Sequence, residues 1–121
     1  MQNQMDLSSL IHRLTAFRDA RDWKKFHSVK NLMASLAIEA AELMELGQWK
    51  TDAEMDAALK DDAFRTKFEH ECADVFLYLL LLCERTGIDP VAAGLTKMAL
   101  NESRYPVEKA KGNALKYNEF E

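Results

Sequence analysis

The sequence predicts an all-α fold, a four-helix bundle that is completed by oligomerisation. Apolar residues recur at spacings of three and four over several long segments, which is typical of amphipathic helices. The few glycines and prolines fall mainly where these segments end or begin. No stretch alternates between apolar and polar residues as a half-buried strand bounded by turns does.

Four main helices and one short helix are expected. Gly47 follows the second main pattern and Gly87 follows the third, as helix-ending residues. In "GIDP", Asp89 is a candidate N-cap and Pro90 suits the first helical position. The predicted main helices cover residues 7–20, 28–46, 64–86 and 90–103, and the short helix covers 52–60.

The third main helix contains the most apolar run, "VFLYLLLLC" at 75–83. This run is much shorter than the roughly 20 residues that cross a bilayer, so no membrane partner is expected. A helix this apolar is difficult to bury within one small bundle. We therefore expect self-association, in which neighbouring subunits cover its second face.

Length and composition indicate one globular domain, residues 1–121, with 48% hydrophobic and 30% charged residues. The net charge of −4 provides no broad basic surface for nucleic acid. Cys72 and Cys83 lie about 16 Å apart if one helix carries both, too far for a disulfide. With no secretory signal in "MQNQMDLSSL", a reducing cytoplasmic location is expected.

The second main helix carries a carboxylate inside its apolar stripe. Glu39 occupies a position where the helical spacing calls for another leucine, and Glu42 follows three residues later. The stripe is marked by Leu32, Leu36, Leu43 and Leu46.

The third main helix repeats this interruption. Glu71 completes an apolar stripe, and Asp74 follows at i+3. Either acidic pair alone is more simply read as part of a solvated face. Two pairs on adjacent long helices favour a metal site, because several buried carboxylates repel one another unless a cation neutralises them. The stripe consists of Phe64, Phe68, Val75, Tyr78 and Leu82.

The type of metal follows from the ligand atoms. Carboxylate oxygens favour Mg²⁺, Mn²⁺ or Ca²⁺ over softer metals. The Glu-x-x-His motif of di-iron bundles is missing from the sequence. An all-carboxylate site points to Mg²⁺ and to phosphate-containing substrates.

The fourth main helix offers groups for an anion. Lys97, Asn101 and Arg104 recur at i, i+4 and i+7, so they share one face. Lysine and arginine bind phosphate oxygens well, although a solvated charged face explains the same pattern.

Aromatic residues near the predicted helix ends are candidates for stacking on a nucleobase. Trp23 and Trp49 have this position, with covering of the core edge as the alternative. His27 and Asn31 either contact a base or have structural roles. Tyr78 lies one turn beyond Asp74, so its hydroxyl is a further candidate.

Four segments together carry a family resemblance. "RDWKKFH…NL", "EAAELMELGQWK", "ECADVFLYLLLLCERTGID" and "KMALNESRYP" resemble the MazG-like all-α nucleoside triphosphate pyrophosphohydrolases, particularly their small dCTP pyrophosphatase branch. The resemblance covers about residues 10–106. The family's E-x-x-E and E-x-x-D signature falls on Glu39, Glu42, Glu71 and Asp74.

The resemblance implies a reaction and an assembly. A dNTP, with dCTP-like preference, would give dNMP and pyrophosphate with Mg²⁺ as cofactor, for which Mn²⁺ can substitute. It also implies a homotetramer built as a dimer of dimers. Where some relatives carry histidine in the first helix, this sequence has Leu14, which leaves the base preference open.

The implied site divides into three groups of residues. All four signature carboxylates would hold the metal, and Glu39 or Glu42 would activate the attacking water. Nucleoside contacts would come from Trp23, Trp49 and Tyr78, and phosphate or sugar contacts from Lys97, Asn101 and Arg104.

The expected role is the cleansing of nucleotide pools. A nucleotide sensor that does not hydrolyse would use the same residues. A helical oligomeric adaptor would explain the apolar third helix, but it would not explain the carboxylates within two apolar stripes. Hydrolysis of another diphosphate-containing metabolite is a further enzymatic alternative.

Overall fold

The computed structural model describes residues 6–120, in which all regular secondary structure is helical, as predicted. The first five residues and the last residue of the predicted domain lie outside this range. Short 3₁₀ turns occur at Lys24–Phe26 and Tyr117–Glu119. The α-helices are α1 Leu7–Ala20, α2 Val29–Glu45, α3 Asp52–Ala58, α4 Asp62–Thr86, α5 Pro90–Arg104 and α6 Val107–Ala110.

Side-chain caps explain where the long helices begin. Asp6 Oδ1 accepts a hydrogen bond from the Ser9 backbone N–H at 2.7 Å, and Ser28 Oγ caps α2 in the same way. Asp89 accepts from two backbone N–H groups of α5, with proline at the first helical position as expected. Gly87 ends α4 with a φ of 73°, a left-handed conformation that glycine adopts without strain.

The chain separates into two compact units, residues up to Gly87 and residues from Ile88 onward. In the first unit, α2 packs along α4 and α1 packs against α4. Leu32 of α2 and Leu80 of α4 are each only 1% exposed and lie at the centre of this packing. Cys83 is buried and Cys72 is exposed, and both are free, as the spacing predicted.

The apolar surface of α4 is only partly covered within the chain. Leu80 and Leu81 are buried, whereas Phe76 and Leu79 are 42% and 40% exposed. The expectation that α4 is buried on most sides is therefore not met by one chain alone. Self-association, which would cover this face, stays a prediction. Within residues 6–120, no helix is long and apolar enough to cross a membrane.

Candidate metal site and adjoining cavity

Helices α2 and α4 bring three predicted carboxylates together. Glu39, Glu42 and Glu71 each offer one oxygen, and these oxygens all lie within 4.8 Å of one another. Two of these residues are one turn apart on α2, and the third lies on α4. The predicted meeting of acidic side chains from the two helices is confirmed for these three.

The cluster is electrostatically unfavourable without a cation. One oxygen of Glu39 and one of Glu71, Oε2 in each, is buried without a hydrogen-bond partner among the described residues. The pKa of Glu39 is raised from 4.5 to about 7. Burial is the main cause, followed by the hydrogen bond and charge of the Glu42 carboxyl and then by the charges of Asp74 and Glu71.

These observations fit a hard divalent cation. None of the ion pairs formed among residues 6–120 involves the three clustered carboxylates. A cation would neutralise them and would give the unpaired oxygens a ligand to contact. Their ligand chemistry suits Mg²⁺, Mn²⁺ or Ca²⁺. Glu39, Glu42 and Glu71 could therefore hold a metal ion.

Asp74, the fourth predicted ligand, is placed differently. It is exposed and lies outside the 4.8 Å group, although its charge contributes to the raised pKa of Glu39. Its side chain instead lines a neighbouring cavity. Asp74 thus connects the acidic cluster with this cavity.

The cavity lies in the first unit, between α1, α4 and the turn that follows α1. Its volume is about 230 Å³, which suits a nucleobase-sized group better than a whole nucleotide. Apolar side chains make up most of its wall, with four polar or charged side chains among them. The lining residues are Leu14, Phe17, Arg18, Trp23, His27, Asp74, Leu77, Tyr78 and Leu81.

Trp23 reaches the cavity because the chain turns sharply after α1. Asp22 has a φ of 54°, the left-handed conformation that aspartate tolerates better than most residues. The Trp23 backbone N–H then donates to the Arg18 carbonyl at 3.1 Å. The Trp23 ring meets Phe17 edge to face, with 5.7 Å between ring centroids. Trp23 and Tyr78 therefore line one cavity, and their contact with a nucleoside stays a prediction.

Trp49 does not line the cavity. It lies in the turn after α2 with 88% of its surface exposed. The sequence interpretation grouped Trp49 with Trp23 and Tyr78 as a nucleoside contact, and the first unit does not bring it to their cavity.

His27 and Asn31 differ in their surroundings. The Asn31 amide donates to the Phe26 carbonyl at 3.1 Å, which supports its structural role at the start of α2. His27 lines the cavity, and its Nδ1 is buried without a hydrogen-bond partner in the described structure. Burial, and then the positive charge of Arg18, lower the pKa of His27.

Arg18 is a cavity residue that the sequence interpretation missed. It is only 3% exposed, and its Nη1 donates to Glu84 Oε2 at 2.7 Å. A signal was available, because Arg18 continues the α1 stripe of Leu7, Ile11 and Leu14 at helical spacing. A charged residue inside an apolar stripe is the same feature that identified Glu39 and Glu71.

The predicted anion-binding residues belong to the second unit. Lys97, Asn101 and Arg104 lie on α5 at spacings that place them along one face. The Arg104 guanidinium lies 4.5 Å from the centroid of the Tyr117 ring. Tyr117 also meets Tyr105 edge to face, so the end of the chain packs on the last turn of α5. Their role in binding phosphate stays a prediction.

The fold and the cluster define a class: an all-helical protein with a carboxylate site between two long helices. The MazG-like family model matches residues 34–120. This chain therefore belongs to the MazG-like family.

Individual relatives agree with this assignment. dCTP pyrophosphatase 1 from Rattus norvegicus and from Homo sapiens are each 41% identical to this chain over 111 residues, which is 91% of the chain. The match spans 65% of each relative's own length, slightly under two thirds. The crystal structure of a pyrophosphatase from Archaeoglobus fulgidus is 39% identical, with a TM-score of 0.78, and the match covers 88% of this chain and 97% of that one.

Proposed function

We propose that this chain is a Mg²⁺-dependent nucleoside triphosphate pyrophosphohydrolase. It would convert a dNTP, preferably dCTP, to dNMP and pyrophosphate, and would thereby cleanse nucleotide pools. The single observation that carries the proposal is the cluster of Glu39, Glu42 and Glu71, with two unpaired buried oxygens. The similar proteins, a dCTP pyrophosphatase and a pyrophosphatase, support the reaction class.

We propose that residues 1–121 act as one MazG-like domain that assembles into a homo-oligomer, a dimer of dimers. The exposed apolar side chains of α4 support self-association, because apolar surface of this kind is normally covered in an assembly.

Glu39, Glu42 and Glu71 would hold the cofactor, with Asp74 available from the cavity side. Bound Mg²⁺ supplies charge neutralisation of the triphosphate and lowers the cost of bringing it to an acidic site. Mn²⁺ has similar ligand preferences and can substitute.

The carboxylates also have a role in proton transfer. A general base must lie close to the water whose proton it takes, and Glu39 and Glu42 lie in the cluster that would hold the metal. Glu39 or Glu42 would orient a water molecule and take its proton as that water attacks phosphorus. The bond to the pyrophosphate leaving group then breaks.

The remaining predicted residues would hold the two ends of the substrate. Trp23 and Tyr78 would enclose the base in the cavity that Asp74 also lines. Lys97 and Arg104 would stabilise negative charge on the leaving pyrophosphate, with Asn101 as a hydrogen-bonding partner. Trp49 lies outside this cavity and stays a predicted nucleoside contact.

Product analysis tests the proposal. The purified chain would be incubated with each of the four dNTPs, with Mg²⁺ or with excess EDTA, and the products separated. Mg²⁺-dependent formation of equal amounts of dNMP and pyrophosphate is expected. Glu39→Gln should abolish turnover, whereas Glu45→Gln, an exposed change on the same helix, should not.

Other results would indicate the alternatives. Release of dNDP and inorganic phosphate would show a different cleavage position. A thermal shift with dCTP but no turnover would indicate a sensor. If there were neither turnover nor a thermal shift, the adaptor interpretation would be favoured.

A further inference from the structure

We infer that Arg18 selects the base, through hydrogen bonds from its guanidinium to a carbonyl-bearing edge of the nucleobase in the cavity beside Asp74. This inference rests on the proposed function for the identity of the ligand. It adds a specificity-determining residue that neither the acidic cluster nor the predicted aromatic contacts include.

The layout of the cavity along α4 supports this role. Asp74 lines the cavity close to the acidic cluster, and Glu84, which binds Arg18, lies ten residues further along α4. Ten helical residues span about 15 Å. A nucleotide with its phosphates at the carboxylates would reach Arg18 by extending its base along this cavity.

The guanidinium retains hydrogen-bonding capacity. Arginine has five N–H donors. Among the described residues, Nε uses one donor on Asp19 at 2.9 Å, and Nη1 uses one on Glu84 at 2.7 Å. Three donors are left on a side chain that lines the cavity yet is only 3% exposed. The two carboxylates hold the guanidinium in place, which favours directional recognition.

Besides Arg18, the cavity lining includes the neutral Tyr78 hydroxyl, which can donate one hydrogen bond and can also accept. Leu14 lies one turn before Arg18 on α1 and provides only apolar contact. His27 also lines the cavity, and its Nδ1 is buried without a hydrogen-bond partner among the described residues. Asp74 lies at the end of the cavity that adjoins the proposed metal site. Arg18 is therefore the cationic donor that the cavity presents to a ligand.

The chemistry of arginine predicts which bases are favoured. A guanidinium only donates, so it matches adjacent acceptors on a base edge. Cytosine presents a carbonyl oxygen beside an unprotonated ring nitrogen, and guanine presents a carbonyl oxygen beside N7. Adenine has no carbonyl group. The cavity should consequently favour dCTP over dATP through this contact.

Selectivity, rather than activity alone, is the measurement that tests Arg18. In the wild-type protein with Mg²⁺, kcat/KM is expected to be higher for dCTP than for dATP. Arg18→Met keeps the apolar stem and removes every donor, so the dCTP-to-dATP ratio should fall by about tenfold or more, the size of one good base contact. A nucleotide that is not turned over would be measured as a competitive inhibitor.

Two further variants separate recognition from structure. Arg18→Lys keeps the charge but loses the planar fork, so it should retain part of the selectivity. Glu84→Gln removes the negative charge but keeps an amide oxygen that can accept the Arg18 hydrogen bond, so it should lower the melting temperature with little effect on the ratio. If Arg18→Met fails to fold, the ratio for Arg18→Lys relative to wild type decides.

The possible failures are distinguishable. If wild type hydrolyses dNTPs, but Arg18→Met slows all of them by the same factor, Arg18 is only structural and the inference is wrong. The inference would also be wrong if wild type had a dCTP-to-dATP ratio of kcat/KM near one. If wild type binds dNTPs without hydrolysis, the proposed function fails, and the ratio of the two Kd values from calorimetry tests Arg18 instead. If wild type neither binds nor hydrolyses dNTPs, the proposed function and the role inferred for Arg18 are both wrong.

Discussion

Replacing Glu39 by glutamine should stabilise the metal-free protein at pH 8 while it abolishes activity. The native protein holds the Glu39 carboxyl half-buried beside two other glutamates, which raises its pKa from 4.5 to about 7. The folded state therefore retains this proton at pH values where the unfolded chain has lost it. The stability that protonation of Glu39 contributes is fully present below pH 4.5. It is lost as the pH rises through about 7, where the folded protein also loses this proton.

The magnitude follows from the two pKa values. The difference between 4.5 and about 7, at about 1.4 kcal/mol per pH unit, sets an upper limit of about 3.5 kcal/mol. Solvent screens part of this cost, because Glu39 is only half-buried. We therefore expect Glu39→Gln to increase the free energy of unfolding by about 1–3 kcal/mol at pH 8.

Urea denaturation in EDTA at pH 8 and at pH 4 would measure this effect. The gain should appear at pH 8 and disappear at pH 4, where both side chains are neutral. Glu45→Gln, exposed at the end of the same helix, should show no such gain. If Glu39→Gln is no more stable than wild type at pH 8, the argument from burial and repulsion is wrong. Added Mg²⁺ should stabilise wild type more than this variant.

Three further changes probe the fold and the second unit. Leu80→Ala, at a fully buried position, should cost about 2–5 kcal/mol in urea denaturation. Gly87→Ala introduces a side chain at a φ of 73°, so it should cost about 1–2 kcal/mol and lower the melting temperature, although no atom lies within 4 Å of the added Cβ. Tyr117→Leu removes the ring beside Arg104, so it should raise KM for dNTPs by about two- to fivefold, whereas Tyr117→Phe should not.

The helices and the acidic cluster were predictable because they depend on short-range patterns. Apolar spacing marked one face of α2 and one of α4, and the packing of these two faces brings their glutamates together. The start of α5 was equally predictable from the sequence, because Asp89 and Pro90 have well-defined roles at a helix N-terminus. Predicting these features requires only the local sequence and the rule that apolar helix faces pack together.

The cavity was less predictable because it depends on how separate elements pack. Trp23, 43% exposed, lines the cavity, whereas Trp49, 88% exposed, does not, although each tryptophan lies in a turn that follows a long helix. The left-handed conformation of Asp22 directs the chain after α1, and aspartate permits this conformation without requiring it. Asp74 has the spacing of a metal ligand, yet it lines the cavity outside the tight group.

The acidic cluster of Glu39, Glu42 and Glu71 and the buried Arg18 share one feature that lowers the stability of the fold. Each places charge on an apolar helix face, where leucine would give a more stable protein. Arg18 is neutralised within the chain by Asp19 and Glu84, so it can stay charged and rigid before a ligand arrives. Glu39 has no such partner, and its proton is retained to a pH of about 7 in the metal-free protein. A site of this kind must therefore gain stability when a cation binds, and that gain couples metal binding to the packing of α2 on α4.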